Sequence, residues 1–298
     1  MTRAPVLLVF AVVGCVGSVD DPDPHYSATF DRPLMAGAAS TQCQIVELAN
    51  PEAFEVGAIV AELEAADRVV VYRVDDDETV TAPHDCASYD GARARRPLVI
   101  ARGPRQVLEF PNGIGIVLHP HQRVLLEVYD RESASPQRQH VDVRFEAAAE
   151  PIHDLAGVMY VATADLQLPP NAAQLVEARF APPPELADAK FIAFTGHTRG
   201  FGVAMAIATV TEPTADKVLV YAVSPFHGDA PSTKTFTTPV RVPPHGEFYF
   251  QCTYYNNTQH VIQLGVGPDD EACGFWAIYY PAVTSASCSH SETNHWCD

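Results

Sequence analysis

Hydrophobic positions along this chain fall in short runs with the period of a strand and almost nowhere at helical spacing. Residues 140–147 (HVDVRFEA) alternate cleanly, apolar at Val141, Val143 and Phe145, as a strand with one buried face does. Residues 68–74 (RVVVYRV) are nearly continuous, as expected of a buried strand. Residues 248–255 and 274–280 are rich in the aromatic and branched side chains that suit a pleated surface. Further strand-like runs are 42–46, 58–64, 98–101, 113–118 and 123–129, then 157–168, 191–195, 202–210, 217–223 and 240–242. Only 52–66 would admit a long amphipathic helix. Short strands at this cadence predict an all-β chain built of sandwiches. The strands pause near 149–154, which divides the chain into domains at 27–150 and 151–283 with a polar tail at 284–298.

Composition changes this picture little. The 298 residues are 47% hydrophobic, and 25 prolines with 17 glycines imply many short connections. The formal charge of −18 argues against a nucleic-acid partner, because phosphates would be repelled, and fits a solvated surface. The N-terminus reads as an address. Met1-Thr2-Arg3 is followed by an apolar run at 4–13, and Val12-Val13-Gly14-Cys15 matches the bacterial lipoprotein box. That run is too short to span a bilayer. The expectation is a signal peptide at 1–14, cleavage before Cys15, lipid on its sulfur and an acidic tether at 15–26. The protein would then sit in the bacterial cell envelope, held to the membrane by its acyl chains and facing the periplasm or the exterior.

Six further cysteines, Cys43, Cys86, Cys252, Cys273, Cys288 and Cys297, admit 15 pairings. Their spacing favours the local pairs Cys43–Cys86, Cys252–Cys273 and Cys288–Cys297, and so an oxidising compartment. The second pair would staple two adjacent strands. No Cys-x-x-Cys knuckle supports a zinc site.

One stretch carries a family likeness. Cys252-x-Tyr254, then Asp270-Glu271-Ala272-Cys273 followed by aromatics, resembles the C-terminal domain of the copper type II, ascorbate-dependent monooxygenases. Segments 110–117 (FPNGIGIV), 123–129 and 200–203 (GFGV) extend the likeness over most of 43–281. The resemblance implies two jelly-roll-like β-sandwich domains in tandem, each carrying one copper, with a substrate cleft between them. It also implies the first two disulfides. The ligand positions depart from the family. Its His-His pair falls on Asp67 and Arg68, its third imidazole on Tyr129, its His-Thr-His on His197-Thr198-Arg199, and its methionine on Ala272. His197 alone of six is retained. Copper needs soft or imidazole donors, whereas arginine offers no lone pair and brings a positive charge. A salt bridge or a polar hydrogen-bond network joining Arg199 to a carboxylate, Asp270 or Glu271, is expected to take over the metal's cross-linking role. Another carboxylate should pair with Arg68 while Tyr129 fills the volume of the lost imidazole.

Other candidate chemistry reads as structure. His119-Pro120-His121 falls in a turn between strands, and the run from Asp75 to Glu78 reads as a hairpin tip. His290 and His295 lie in the cysteine-bearing tail, and Asn256-Asn257-Thr258 fits a glycosylation acceptor. No nucleophile elbow, phosphate loop or dinucleotide fingerprint is present. The reading is an exported binding or structural module without a cofactor, taking a small molecule, peptide or protein in the interdomain cleft. Its alternative is a divergent copper- and ascorbate-dependent monooxygenase that hydroxylates a C–H bond with His197 as a surviving ligand.

Overall fold

The computed structural model describes residues 24–37, 39–74, 77–89, 95–130, 135–211, 217–228, 230–265 and 270–283, and the backbone of 288–290 and 294–297. The signal peptide, Cys15 and the side chains of Cys288, Cys297, His290 and His295 lie outside the described residues.

The first half holds β1 (His25–Leu34), β2 (Ser40–Glu47), β3 (Phe54–Glu64), β4 (Arg68–Arg73), β5 (His84–Asp85) and β6 (Pro97–Arg102). It continues with β7 (Arg105–Glu109), β8 (Ile114–Leu118), β9 (Arg123–Asp130), β10 (Gln137–Ala147) and β11 (Asp154–Leu155). One sheet runs β1-β10-β3-β8-β11 with β7 also on β3, and the other β5-β2-β9-β4-β6. Residues of alternating parity fill the space between the sheets, among them Val69 and Val71 of β4, Val124, Leu126 and Val128 of β9, and Val141, Val143 and Phe145 of β10. Within 52–66 the chain forms strand β3 (Phe54–Glu64) and no helix. β3 pairs with β10 on one edge and with β7 and β8 on the other. A helix there would leave two strand edges without partners, and the branched Val56, Ile59 and Val60 suit a pleat.

The second half holds β12 (Gly157–Thr163), β13 (Gln167–Leu168), β14 (Ala172–Phe180), β15 (Lys190–His197), β16 (Gly202–Val210) and β17 (Val218–Val223). After these come β18 (Thr233–Val240), β19 (Glu247–Asn256), β20 (Ile262–Gln263), β21 (Gly274–Tyr280), β22 (Cys288–His290) and β23 (Asn294–Cys297). The two main sheets run β18-β15-β21-β12-β23-β22 and β14-β19-β16-β17. An aromatic core fills the space between them, with Phe191, Phe194, Phe248, Phe250 and Phe275 in contact. The Cys252–Cys273 disulfide forms, but Cys252 is on β19 and Cys273 leads into β21, so it ties the two sheets together and not two neighbouring strands. The tail adds two strands to the sheet through β12. Among the described residues no helix is long and apolar enough to cross a membrane.

The halves meet face to face. β4 and β9 turn Val70, Tyr72 and Leu125 away from their own core toward Trp276, Val158 and Tyr160 of the second half. β21 is buried along its whole length, because Phe275, Ala277 and Tyr279 enter one core while Trp276 and Ile278 face the first half. A hydrogen bond from Thr233 Oγ1 to the Ile100 carbonyl, 2.8 Å long, crosses the interface.

Candidate functional site

Strand parity decides what faces the interface. Arg68, Val70 and Tyr72 share a face of β4, and across the ladder stand Tyr129, Glu127 and Leu125 of β9. The outcome is an ion pair with no access to solvent. Arg68 and Glu127 are both 0% exposed, with Nη2 to Oε1 at 2.9 Å. Arg68 also donates to Ser88 Oγ at 2.9 Å, and its guanidinium lies 4.2 Å from the Tyr89 ring and 5.2 Å from the Tyr129 ring. Glu127 accepts the Tyr89 backbone N–H at 2.6 Å and the Tyr72 hydroxyl at 3.3 Å. Burial, then the Glu127 charge, holds the Tyr72 hydroxyl well above the usual phenol range.

The Cys43–Cys86 disulfide places the loop that carries Ser88 and Tyr89. Cys43 stands on β2 opposite Glu127 of β9, so the loop folds back over the ion pair. Tyr89 sits at φ 59°, a left-handed backbone uncommon for a bulky residue, and is fixed there by its bond to Glu127. Its ring bridges the halves: Arg68 lies on it, and the His197 ring meets it edge-on at 4.8 Å. Its hydroxyl reaches the Gly228 carbonyl at 3.4 Å. Tyr160 closes the other side of His197 at 5.7 Å and tilts over Trp276 at 4.3 Å.

His197 ends β15, paired with Gly274. A bulge between Phe191 and Ala193 shifts the parity that brings its ring to the interface. Its Nδ1 is sealed from solvent and has no hydrogen-bond partner among the described residues. Burial first, then the charges of Arg199 and Arg68, pull its pKa down to about 3. Arg199 lies past the end of β15, just before the turn at 200–201. Its guanidinium donates to the Gly265 carbonyl at 3.2 Å. Of the two carboxylates expected near Arg199, Glu271 meets it through a hydrogen-bond network and not through a salt bridge to the guanidinium: it takes the backbone N–H groups of Arg199, Phe201 and Ala272. The reason is reach: Glu271 is wholly buried beneath the turn, where three main-chain donors converge. Burial raises its pKa, and those three hydrogen bonds oppose the rise. Gly228 packs so closely on the turn that a Cβ would lie 2.2 Å from the Arg199 carbonyl oxygen.

These residues do not fit a copper ion. At the first set of positions, the two strands hold a guanidinium already bonded to Glu127 and stacked on two rings. At the second, Ala272 supplies no donor, Arg199 adds a cation, and the His197 ring is enclosed by Tyr89 and Tyr160. Among the described residues no three His, Cys, Asp or Glu side chains converge as a metal-holding group. His119 and His121 flank the turn between β8 and β9, with His121 Nδ1 3.7 Å from Glu47. Asn256 is wholly buried, its amide bonded to the carbonyls of Leu168, Pro169 and His260, so it is not accessible for glycosylation. Asp75 and Asp76 lie outside the described residues, while Glu78 pairs with Arg95.

Sequence reasoning missed Glu127, Tyr89 and Tyr160. Glu127 left a signal, a lone charge inside the apolar run 124–128 (VLLEV). Tyr89 left none, since its position depends on the disulfide and the opposite half.

No curated protein matches the chain. Among solved structures it is similar to the atomic structure of Sulfolobus Turreted Icosahedral Virus, at 10% identity, 86% of this chain, 91% of that chain and a TM-score of 0.31. It is similar also to the crystal structure of the STIV MCP, at 9% identity, 87% and 97% coverage and a TM-score of 0.31. Likeness at that score decides nothing about function. A family model does match: copper type II ascorbate-dependent monooxygenase, C-terminal domain, over residues 155–297. The match starts where strand pairing passes from the first half to the second, between Leu155 and Gly157. Residues 155–297 form a C-terminal domain of the copper type II ascorbate-dependent monooxygenase family.

Proposed function

We propose that the chain is an exported, lipid-anchored binding or structural module that has given up copper redox chemistry. The observation that carries this reading is the Arg68–Glu127 pair, wholly buried at the positions that match the family's first ligand set. An ion pair bonded on both sides replaces what a metal does for a fold, tying two strands and a loop together. The lost methionine and second histidine act in the same direction. The test is copper titration of purified protein, followed by metal analysis and ascorbate consumption. No bound copper above background supports the module, and two equivalents with ascorbate turnover overturn it. Lipid anchoring is tested on its own: Cys15→Ser is expected to release the chain from membranes, and retention refutes an anchor at that residue.

The alternative is a divergent monooxygenase. The family match over residues 155–297 and the unpartnered Nδ1 of His197 favour it. It requires tight binding of copper at His197, which the same titration of a His197→Gln variant would reveal as lost stoichiometry.

A further inference from the structure

A cavity of about 610 Å³ lies between the halves, away from every position that matches a copper ligand. Its volume is within the roughly 300–1,000 Å³ of small-molecule sites. Its floor is apolar, made by Leu98, Phe110 and Ile116 of the first half and Ile278 of the second. Arg73, Arg95 and Arg96 line its cationic side, and no Asp or Glu is among its described lining residues. In a chain of formal charge −18, three arginines gathered over an apolar floor run against the bulk composition.

The arginines are not equivalent. Arg95 is neutralised by Glu78. Arg73 makes no ion pair with a carboxylate among the described residues. It donates from Nη2 to the Val117 carbonyl at 2.6 Å, and its Nε is buried without an acceptor. Burial lowers its pKa, which marks a cation poorly compensated by its surroundings. An incoming anion would supply that compensation, since a guanidinium presents a planar fork that matches a carboxylate.

We infer that this cavity binds a small amphipathic monocarboxylate, its head on Arg73 and its apolar body on the floor between the halves. A single charge is favoured because Arg95 is paired with Glu78 and Arg96 has an interaction of its own, which leaves Arg73 for the ligand. This inference deepens the binding-module reading and rests on it for its use. The two fail separately, because copper titration reports on the matched ligand positions and carboxylate titration on this cavity.

The experiment is isothermal titration of the full chain carrying Cys15→Ser, which avoids detergent, with decanoate, decanol and acetate as probes. The expected result is saturable one-to-one binding of decanoate, at least tenfold weaker binding of decanol, and none of acetate. Arg73→Gln is expected to weaken decanoate at least tenfold while leaving decanol unchanged. Should that variant not fold, Ala156→Trp fills the cavity without touching the charge and is expected to abolish decanoate binding. The inference is overturned if decanoate does not saturate at millimolar concentration, if decanol binds equally well, or if a folded variant of either kind binds decanoate like the parent.

Discussion

Replacing Arg68 by Met leaves a carboxylate sealed between the two halves. Arg68 and Glu127 are each 0% exposed and 2.9 Å apart, so no water can take over when the guanidinium is removed. Tyr72 and the Tyr89 backbone still donate to Glu127, but a neutral donor does not cancel a charge. Breaking such a buried pair costs about 3–5 kcal/mol, and losing the stack on Tyr89 adds roughly 0.5–2 kcal/mol. Glu127→Leu alone strands the cation and costs a similar amount. The double variant Arg68→Met/Glu127→Leu removes both charges, and its stability is expected within about 1 kcal/mol of the parent, or above it, since apolar replacement of a buried pair is often neutral or better. Urea denaturation followed by tryptophan fluorescence measures all four proteins, and Trp276 sits in the same interface cluster. The expected signature is a large coupling energy between two harmful single changes. The reasoning is refuted if Arg68→Met costs less than about 1 kcal/mol, as a solvated pair would, or if the two single costs add in the double variant.

Three further outcomes follow from the same interface. Cys86→Ser opens a link spanning 43 residues, and the loss is expected near 4 kcal/mol on the chain-entropy relation; chemical denaturation checks it, and non-reducing peptide mapping should recover Cys43–Cys86 and Cys252–Cys273 in the parent. Gly228→Ala puts a Cβ 2.2 Å from the Arg199 carbonyl oxygen, so overpacking of about 1–3 kcal/mol is expected, seen as a lowered urea midpoint. His197 has a folded pKa of about 3 against 6.5 in its ordinary state, so the unfolded chain binds the extra proton between those values and the native state loses stability as pH falls from about 6.5 to about 3. His197→Phe should flatten that part of the stability–pH curve, and an unchanged slope would show that the imidazole is protonated in the fold.

Much of the architecture is legible in the chain because strand burial writes itself into residue order. The continuous run 68–74 marks a strand with apolar surroundings on both faces, and β4 has them: its own core on one side, the second half on the other. The alternation at 140–147 marks a sheet with one buried face, which β10 is. The cysteine spacing pointed to both disulfides that form among the described residues. The altered residues at the copper positions are equally plain, since a side chain's donor chemistry is a property of the residue itself. What lies opposite each residue is not. The sequence places Arg68 on a strand but does not say that Glu127, 59 residues away, shares its face one step along the ladder. Nor does it say that a disulfide swings Tyr89 between Arg68 and His197. The 52–66 stretch became a strand because two neighbouring edges needed its backbone, a demand that exists only in the assembled sheet. Glu271 turned to main-chain donors and away from the Arg199 guanidinium because the turn after β15 brings three N–H groups to it. Local pattern decides which face of a strand is apolar. Only the tertiary structure decides what that face meets, because partners across a sheet and between halves are chosen by chain reversal and packing over long separations.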